Sequence, residues 1–146
     1  MLSQLTFPLA GVGFALLAVA GGLATMGKCP RWLVVLTAAV ILTHVGFVWQ
    51  FRYEWSFAQA TRNGYFGFAL FHTALLLLVI AALVSGIRAQ RNLLFATFLI
   101  VCVGANGAVY RYDVVALYRI PVHAVTLAGI AFALWGLRRN AMQKTP

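Results

Sequence analysis

Acidic residues are almost missing from this chain. Glu54 and Asp113 are its only carboxylates in 146 residues, against eleven Lys or Arg, which leaves a formal charge of +9. Charged residues of both signs make up 9% of the chain, where a water-soluble domain carries about 25%. Hydrophobic residues make up 63%, against about 45–50% in a soluble domain, and the mean hydropathy is +0.92. This balance excludes an ordinary soluble globule and a disordered chain. Cysteine is scarce too. Cys29 and Cys102 fall in different layers of the predicted membrane spans, farther apart than a disulfide reaches, and they form no redox or metal motif. There is no Gly-rich phosphate loop, no CxxC, no Ser-His-acid set, no HExxH and no lipidation motif.

What is present is a series of long apolar runs. A helix needs roughly 20 apolar residues to cross about 30 Å of hydrocarbon. Five runs meet or approach this: residues 7–26, 32–51, 65–87, 92–110 and 120–137, the last starting as early as Asp113 if Arg119 snorkels. The runs are continuous rather than alternating, so barrel strands are not expected. The sequence predicts an all-α, polytopic bundle of five helices forming one integral membrane domain over residues 1–146. The first run is expected to be a mature helix, because the leader Met1–Thr6 lacks the Lys or Arg of a signal peptide.

The basic residues lie between the runs rather than in one stripe, so no nucleic-acid partner is expected. Lys28, Arg31, Arg88, Arg91, Arg138, Arg139 and Lys144 fall on one side, and Arg52, Arg62, Arg111 and Arg119 on the other. The positive-inside rule then predicts N-terminus out and C-terminus in, within a membrane of the bacterial inner-membrane type.

Two segments resemble each other. Phe51-Arg52-Tyr53-Glu54 and Tyr110-Arg111-Tyr112-Asp113 share the order aromatic, Arg, Tyr, acid, and contain both acids. Each precedes a helix with one His near its start, and Gly86-Ile87-Arg88 and Gly136-Leu137-Arg138 close those helices. The pattern suggests a tandem duplication of helices 2–3 and 4–5. The alternative is that Arg and Tyr recur as interfacial anchors. Within each segment, residues at i and i+2 do not share a helix face, so Glu54 is expected to pair with Arg111, and Asp113 with Arg52.

His44, His72 and His123 fall at a common depth, roughly 6–15 Å below the surface that carries the four Arg. Ionisable side chains inside a membrane are rare and usually face the bundle interior. Four readings are open. Two His, foremost His72 and His123, hold a b-type haem iron, with Gly46, Gly104 and Gly107 making room and Arg52, Arg111 and Arg119 meeting the propionates. Or His44, His72 and His123 contact a quinone together with Tyr53, Tyr112 or Tyr118. Or each His makes an interhelical hydrogen bond. Or a copper or zinc ion binds, although no two His are spaced i, i+3 or i, i+4. The layout resembles cytochrome b-type anchor subunits in architecture, with no residue-level motif to carry over. The expected function is therefore a small subunit of an electron-transfer membrane complex, associated with other membrane subunits. The alternatives are a structural assembly subunit, and third a small transporter or channel. Against the last, both acids lie at the interface rather than at the bilayer midplane.

Overall fold

The computed structural model describes residues 6–142 and, among them, is helical throughout, with no strand. The helices are α1 (Thr6–Thr25), α2 (Arg31–Phe51), the short α3 (Phe57–Thr61), α4 (Tyr65–Leu83), α5 (Ile87–Arg111) and α6 (Arg119–Met142), with a 3-10 turn over Asp113–Tyr118. The five long helices have 19 to 25 residues. At about 1.5 Å per residue that is about 28–38 Å, enough to cross a bilayer. All five are also apolar enough to do so, which makes the chain an integral membrane protein.

Proline marks the helix starts. Pro8 and Pro121 lie in the first turns of α1 and α6, and Pro30 precedes α2 at φ −72°. A first turn tolerates proline because its N–H groups have no intrahelical partner. The end of α1 is equally local in origin. Gly27 takes φ +69°, Lys28 N–H reaches the Leu23 carbonyl at 3.0 Å, and Gly27 N–H reaches Ala24 at 3.0 Å. This pair of bonds is a Schellman end, which closes two orphan carbonyls and reverses the chain toward α2.

Three boundaries differ from expectation, one of them the end of the fifth span, which runs to Met142 rather than Leu137. The third span stops at Leu83 rather than Ile87, and the fourth begins at Ile87 rather than Asn92. Val84, Ser85 and Gly86 form the break, and Gly86 caps α5 in an extended conformation. The buried Gln90 side chain donates to the Ala81 carbonyl at 3.2 Å. Ala81 lies in the last turn of α4, whose carbonyls have no helical partner, so Gln90 both ends α4 and holds α5 against it. Arg88 and Arg91 therefore ride on the first turns of α5 instead of in a loop. The two Gly-aliphatic-Arg marks land in unlike places. Gly86 caps a helix, whereas Gly136 is buried within α6 against Thr25 of α1.

Helix α1 is the hub, packing on α2, α5 and α6, while α4 packs on α5 and α2. Its small residues make this possible. Gly13, Ala18, Gly21 and Gly22 are buried inside the bundle, which assigns that face to internal packing; Gly11 stays exposed. A side chain at Gly22 would collide with the Phe132 ring of α6, and one at Gly129 would collide with Phe98 of α5. Phe14 and Phe98 stack at 6.0 Å between centroids in the middle of this core, with Leu17, Val34, Leu78 and Leu94 around them. Helices α4 and α5 approach closely at Gly104, where a Cβ would lie 2.6 Å from Leu70 and 2.7 Å from Phe71.

The bundle thus has two unlike ends. One, the acid-bearing end, carries the α2–α4 and α5–α6 connections with Glu54 and Asp113. The other, the basic end, carries Lys28, Arg31, Arg88, Arg91, Arg138 and Arg139 and, among the described residues, no acid.

Candidate functional site

A linked set of polar side chains lies in the seam between α5 and α6, toward the acid-bearing end. Cys102, Asn106 and Tyr110 repeat at i, i+4 and i+8, which places them along one side of α5. His123 and Thr126 face them from α6. Asn106 Nδ2 donates to the Cys102 carbonyl at 2.8 Å and to Thr126 Oγ1 at 2.9 Å. Asn106 Oδ1 and His123 Nδ1 are 2.5 Å apart, and Tyr110 Oη and His123 Nε2 are 2.9 Å apart.

These contacts fix the protons. Because the Asn106 amide nitrogen is engaged as a donor, its oxygen must accept, so His123 Nδ1 carries the hydrogen. In the neutral ring Nε2 is then an acceptor, and the Tyr110 hydroxyl donates to it. The result is a directed chain: Tyr110 to His123, His123 to Asn106, Asn106 to Thr126. Tyr110 is 65% exposed while Asn106 and His123 are half-buried, so the chain runs from the surface of the bundle inward. Arg119 holds its outer end. Its Nε donates to the Val109 carbonyl at 2.9 Å, and its guanidinium lies 5.1 Å from the Tyr110 ring centroid. A cation on the last-turn carbonyls of α5 also suits the helix dipole there.

His72 is built differently. Its Nδ1 meets the Phe68 carbonyl one turn back at 2.8 Å, so Nδ1 is the protonated nitrogen. The Phe68 ring stacks on the imidazole at 3.8 Å, and Trp49 of α2 meets it edge-on at 6.1 Å. Nε2, with its lone pair, is buried and has no hydrogen-bond partner. His44 likewise has a buried, unpartnered Nδ1, while its ring meets the Thr6 backbone at the start of α1.

All three His stand near the ends of their helices at the acid-bearing side. His44 lies seven residues before the end of α2, His72 seven after the start of α4, and His123 four after the start of α6. They do not share a direction. His123 turns to α5, His72 to Trp49 of α2, and His44 to α1. Helix α5 packs against both α4 and α6, the helices that carry His72 and His123. Among the described residues no three His, Cys, Asp or Glu group together as metal ligands. The larger cleft, about 310 Å³ between α4 and α5, is lined by Phe66, Ala69, Leu70, Thr73, Ile100 and Val103 and touches none of the three His.

Two of the four arginines at the acid-bearing end, Arg111 and Arg119, donate to backbone carbonyls. Arg111 Nη2 donates to the Asn63 carbonyl at 3.0 Å, tying the end of α5 to the α3–α4 link. That contact replaces the expected pairing with Glu54, which sits in a turn at φ +50°. No Asp113–Arg52 pair forms among the described residues either; Arg52 is the exposed C-cap of α2. Of the quinone-candidate tyrosines, Tyr53 packs on Trp49, Tyr118 on Phe7, and Tyr112 lies by Arg111. The tyrosine that reaches a His is Tyr110, none of those three. The i, i+4 spacing of Asn106 and Tyr110 was the available signal.

Outside the spans, burial pushes the Cys29 thiol up to about 11. It stays protonated at neutral pH and is a packed, inert group rather than a nucleophile. Comparison with protein-family models, curated proteins and solved structures finds no match to this chain.

Proposed function

We propose that this chain is a small subunit of an electron-transfer membrane complex of the respiratory type, and that its α5–α6 seam contacts a quinol. The observation that carries this reading is the directed chain from exposed Tyr110 through His123 to Asn106. Tyr110 Oη donates inward and offers its lone pairs outward, so it suits an incoming hydroxyl rather than a carbonyl. As a quinol proton moves to Oη, the Tyr110 proton passes to His123 Nε2, and Asn106 Oδ1 steadies the resulting imidazolium. One electron leaves with that proton for a one-electron redox centre of the partner subunits, a haem or iron–sulfur cluster, and leaves a neutral semiquinone, whose proton and electron follow once His123 has released the first. In this reading the membrane is the bacterial inner membrane, the acid-bearing end faces outward, and the two His-bearing hairpins descend from one duplicated unit.

Titration of the protein in lipid nanodiscs with a short-chain ubiquinol tests it. Tyr110→Phe is expected to bind about tenfold more weakly, the loss of one good hydrogen bond. Equal binding by wild type, Tyr110→Phe and His123→Leu overturns the reading. Co-purification with partners that lack any redox group favours the assembly alternative. Flux in liposomes that depends on Glu54 or Asp113 favours the transporter alternative.

A second reading rests on His72. An imidazole tied through Nδ1–H to a backbone carbonyl, with Nε2 unpartnered, would hold a haem iron through Nε2, and the haem would supply one-electron transfer. His123 Nε2 is already engaged by Tyr110, so the other ligand would come from another subunit. An absorbance spectrum of the gently solubilised complex decides this. A Soret band lost in His72→Ala and kept in His123→Ala supports it, and a band unaffected by His72→Ala sinks it.

A further inference from the structure

The basic end holds a second site, unrelated to the histidines. Six cations stand there among the described residues with no acid to pair with them. Lys28, Arg31, Arg88, Arg138 and Arg139 are exposed, and Arg91 alone is half-buried. Arg91 lines a cavity of about 150 Å³ with Thr25, Asn92, Phe95 and Leu137, where the ends of α1, α5 and α6 meet.

The unengaged groups around this cavity are donors. The Thr25 hydroxyl is held by the Gly22 carbonyl at 2.6 Å, and the Thr25 carbonyl accepts from Asn140 Nδ2. Arg91 Nε donates to Asn92 Oδ1 at 3.3 Å. That bond leaves the two Arg91 Nη groups and Asn92 Nδ2 as adjacent donors. A guanidinium fork beside an amide donor matches the oxygens of a phosphodiester. Below them, Phe95 lies one turn deeper on α5 and Leu137 on α6, an apolar wall at the depth of acyl chains.

We infer that this cavity binds the headgroup of an anionic phospholipid, with Arg91 and Asn92 on the phosphate and an acyl chain along Phe95 and Leu137. The five surrounding cations raise the local concentration of anionic lipid, and Arg91 fixes where one molecule sits. A free anion would use the same donors but not the apolar wall.

Native mass spectrometry of the full chain in detergent, with phosphatidylglycerol or phosphatidylcholine added, reads the occupancy. Phosphatidylglycerol is expected to bind and phosphatidylcholine to bind far less. Arg91→Gln is expected to weaken the tightest phosphatidylglycerol about tenfold, and Arg91→Lys, which keeps the charge but loses the fork, by an intermediate factor. Arg62→Gln at the other end is expected to leave binding unchanged. If Arg91→Gln fails to fold, Asn92→Ala, at an exposed position, serves instead. Equal losses in Arg91→Gln and Arg62→Gln would mean diffuse charge attraction and overturn the site. Displacement of the lipid by millimolar inorganic phosphate would mean a free-anion site and overturn the lipid assignment.

Discussion

The two His-bearing hairpins begin from the same four-residue pattern and treat their histidines in opposite ways. In α5–α6, both ring nitrogens of His123 are bonded to side chains of the facing helix. In α2–α4, His72 bonds only to its own helix and leaves Nε2 buried and unpaired. The cause is visible in the partner helices. Aligning Phe51-Arg52-Tyr53-Glu54 with Tyr110-Arg111-Tyr112-Asp113 sets Phe47 opposite Asn106 and Phe51 opposite Tyr110. Where α5 offers an amide and a phenol, α2 offers two phenyl rings, which pack on each other at 5.7 Å. A histidine in a membrane span is therefore not one kind of feature. Its facing helix decides whether it is a closed hydrogen-bonding element or an open ligand.

Substitution at Asn106 should separate the hairpins most. Asn106→Leu removes the acceptor for His123 and the bond to Thr126, so thermal unfolding in mild detergent should report a loss of about 2 kcal/mol. A loss indistinguishable from zero would mean that the seam is held by packing alone. Tyr110→Phe should cost about 1 kcal/mol in the same assay, because it opens only the outermost bond. His72→Phe should go the other way and be neutral or slightly stabilising, since it removes a buried nitrogen that has no partner. A clear destabilisation of the intact complex by His72→Phe would mean that Nε2 has an occupant there. The last effect belongs to Cys29, outside both hairpins, and appears only in alkali. Its thiol titrates at about 11 against an ordinary value of 9.0, so the neutral form is favoured in the folded chain. The stability this lends is present below pH 9 and is lost as pH rises toward 11. Wild type should lose more stability over that window than Cys29→Ser, and equal losses would refute the burial effect.

The five spans were legible in the sequence, because they follow from run length and rise per residue. The directions of the histidines were not. Helices that are apolar on nearly every face have no polar stripe to orient them, so hydrophobic periodicity does not say which neighbour His72 or His123 meets. Register supplies part of the answer. His72 stands fourteen residues before Gly86 and His123 thirteen before Gly136, and one residue turns a helix face by about 100°. The break between α4 and α5 was also hidden, because Val84 and Ile87 extend the apolar run while Ser85 and Gly86 end the helix. The close contacts of Gly22, Gly129 and Gly136 were not legible in the sequence. Their partners, Phe132, Phe98 and Thr25, are remote in sequence.

The Gln90–Ala81 bond has a consequence for how the protein is made and handled. Three residues separate α4 from α5, and the bond closes that turn from within the helices. The chain there has no slack, so the ends of the two spans are held side by side. A tag or protease site placed between Leu83 and Ile87 would have to break that bond first, whereas one in the longer link between α2 and α4 would not.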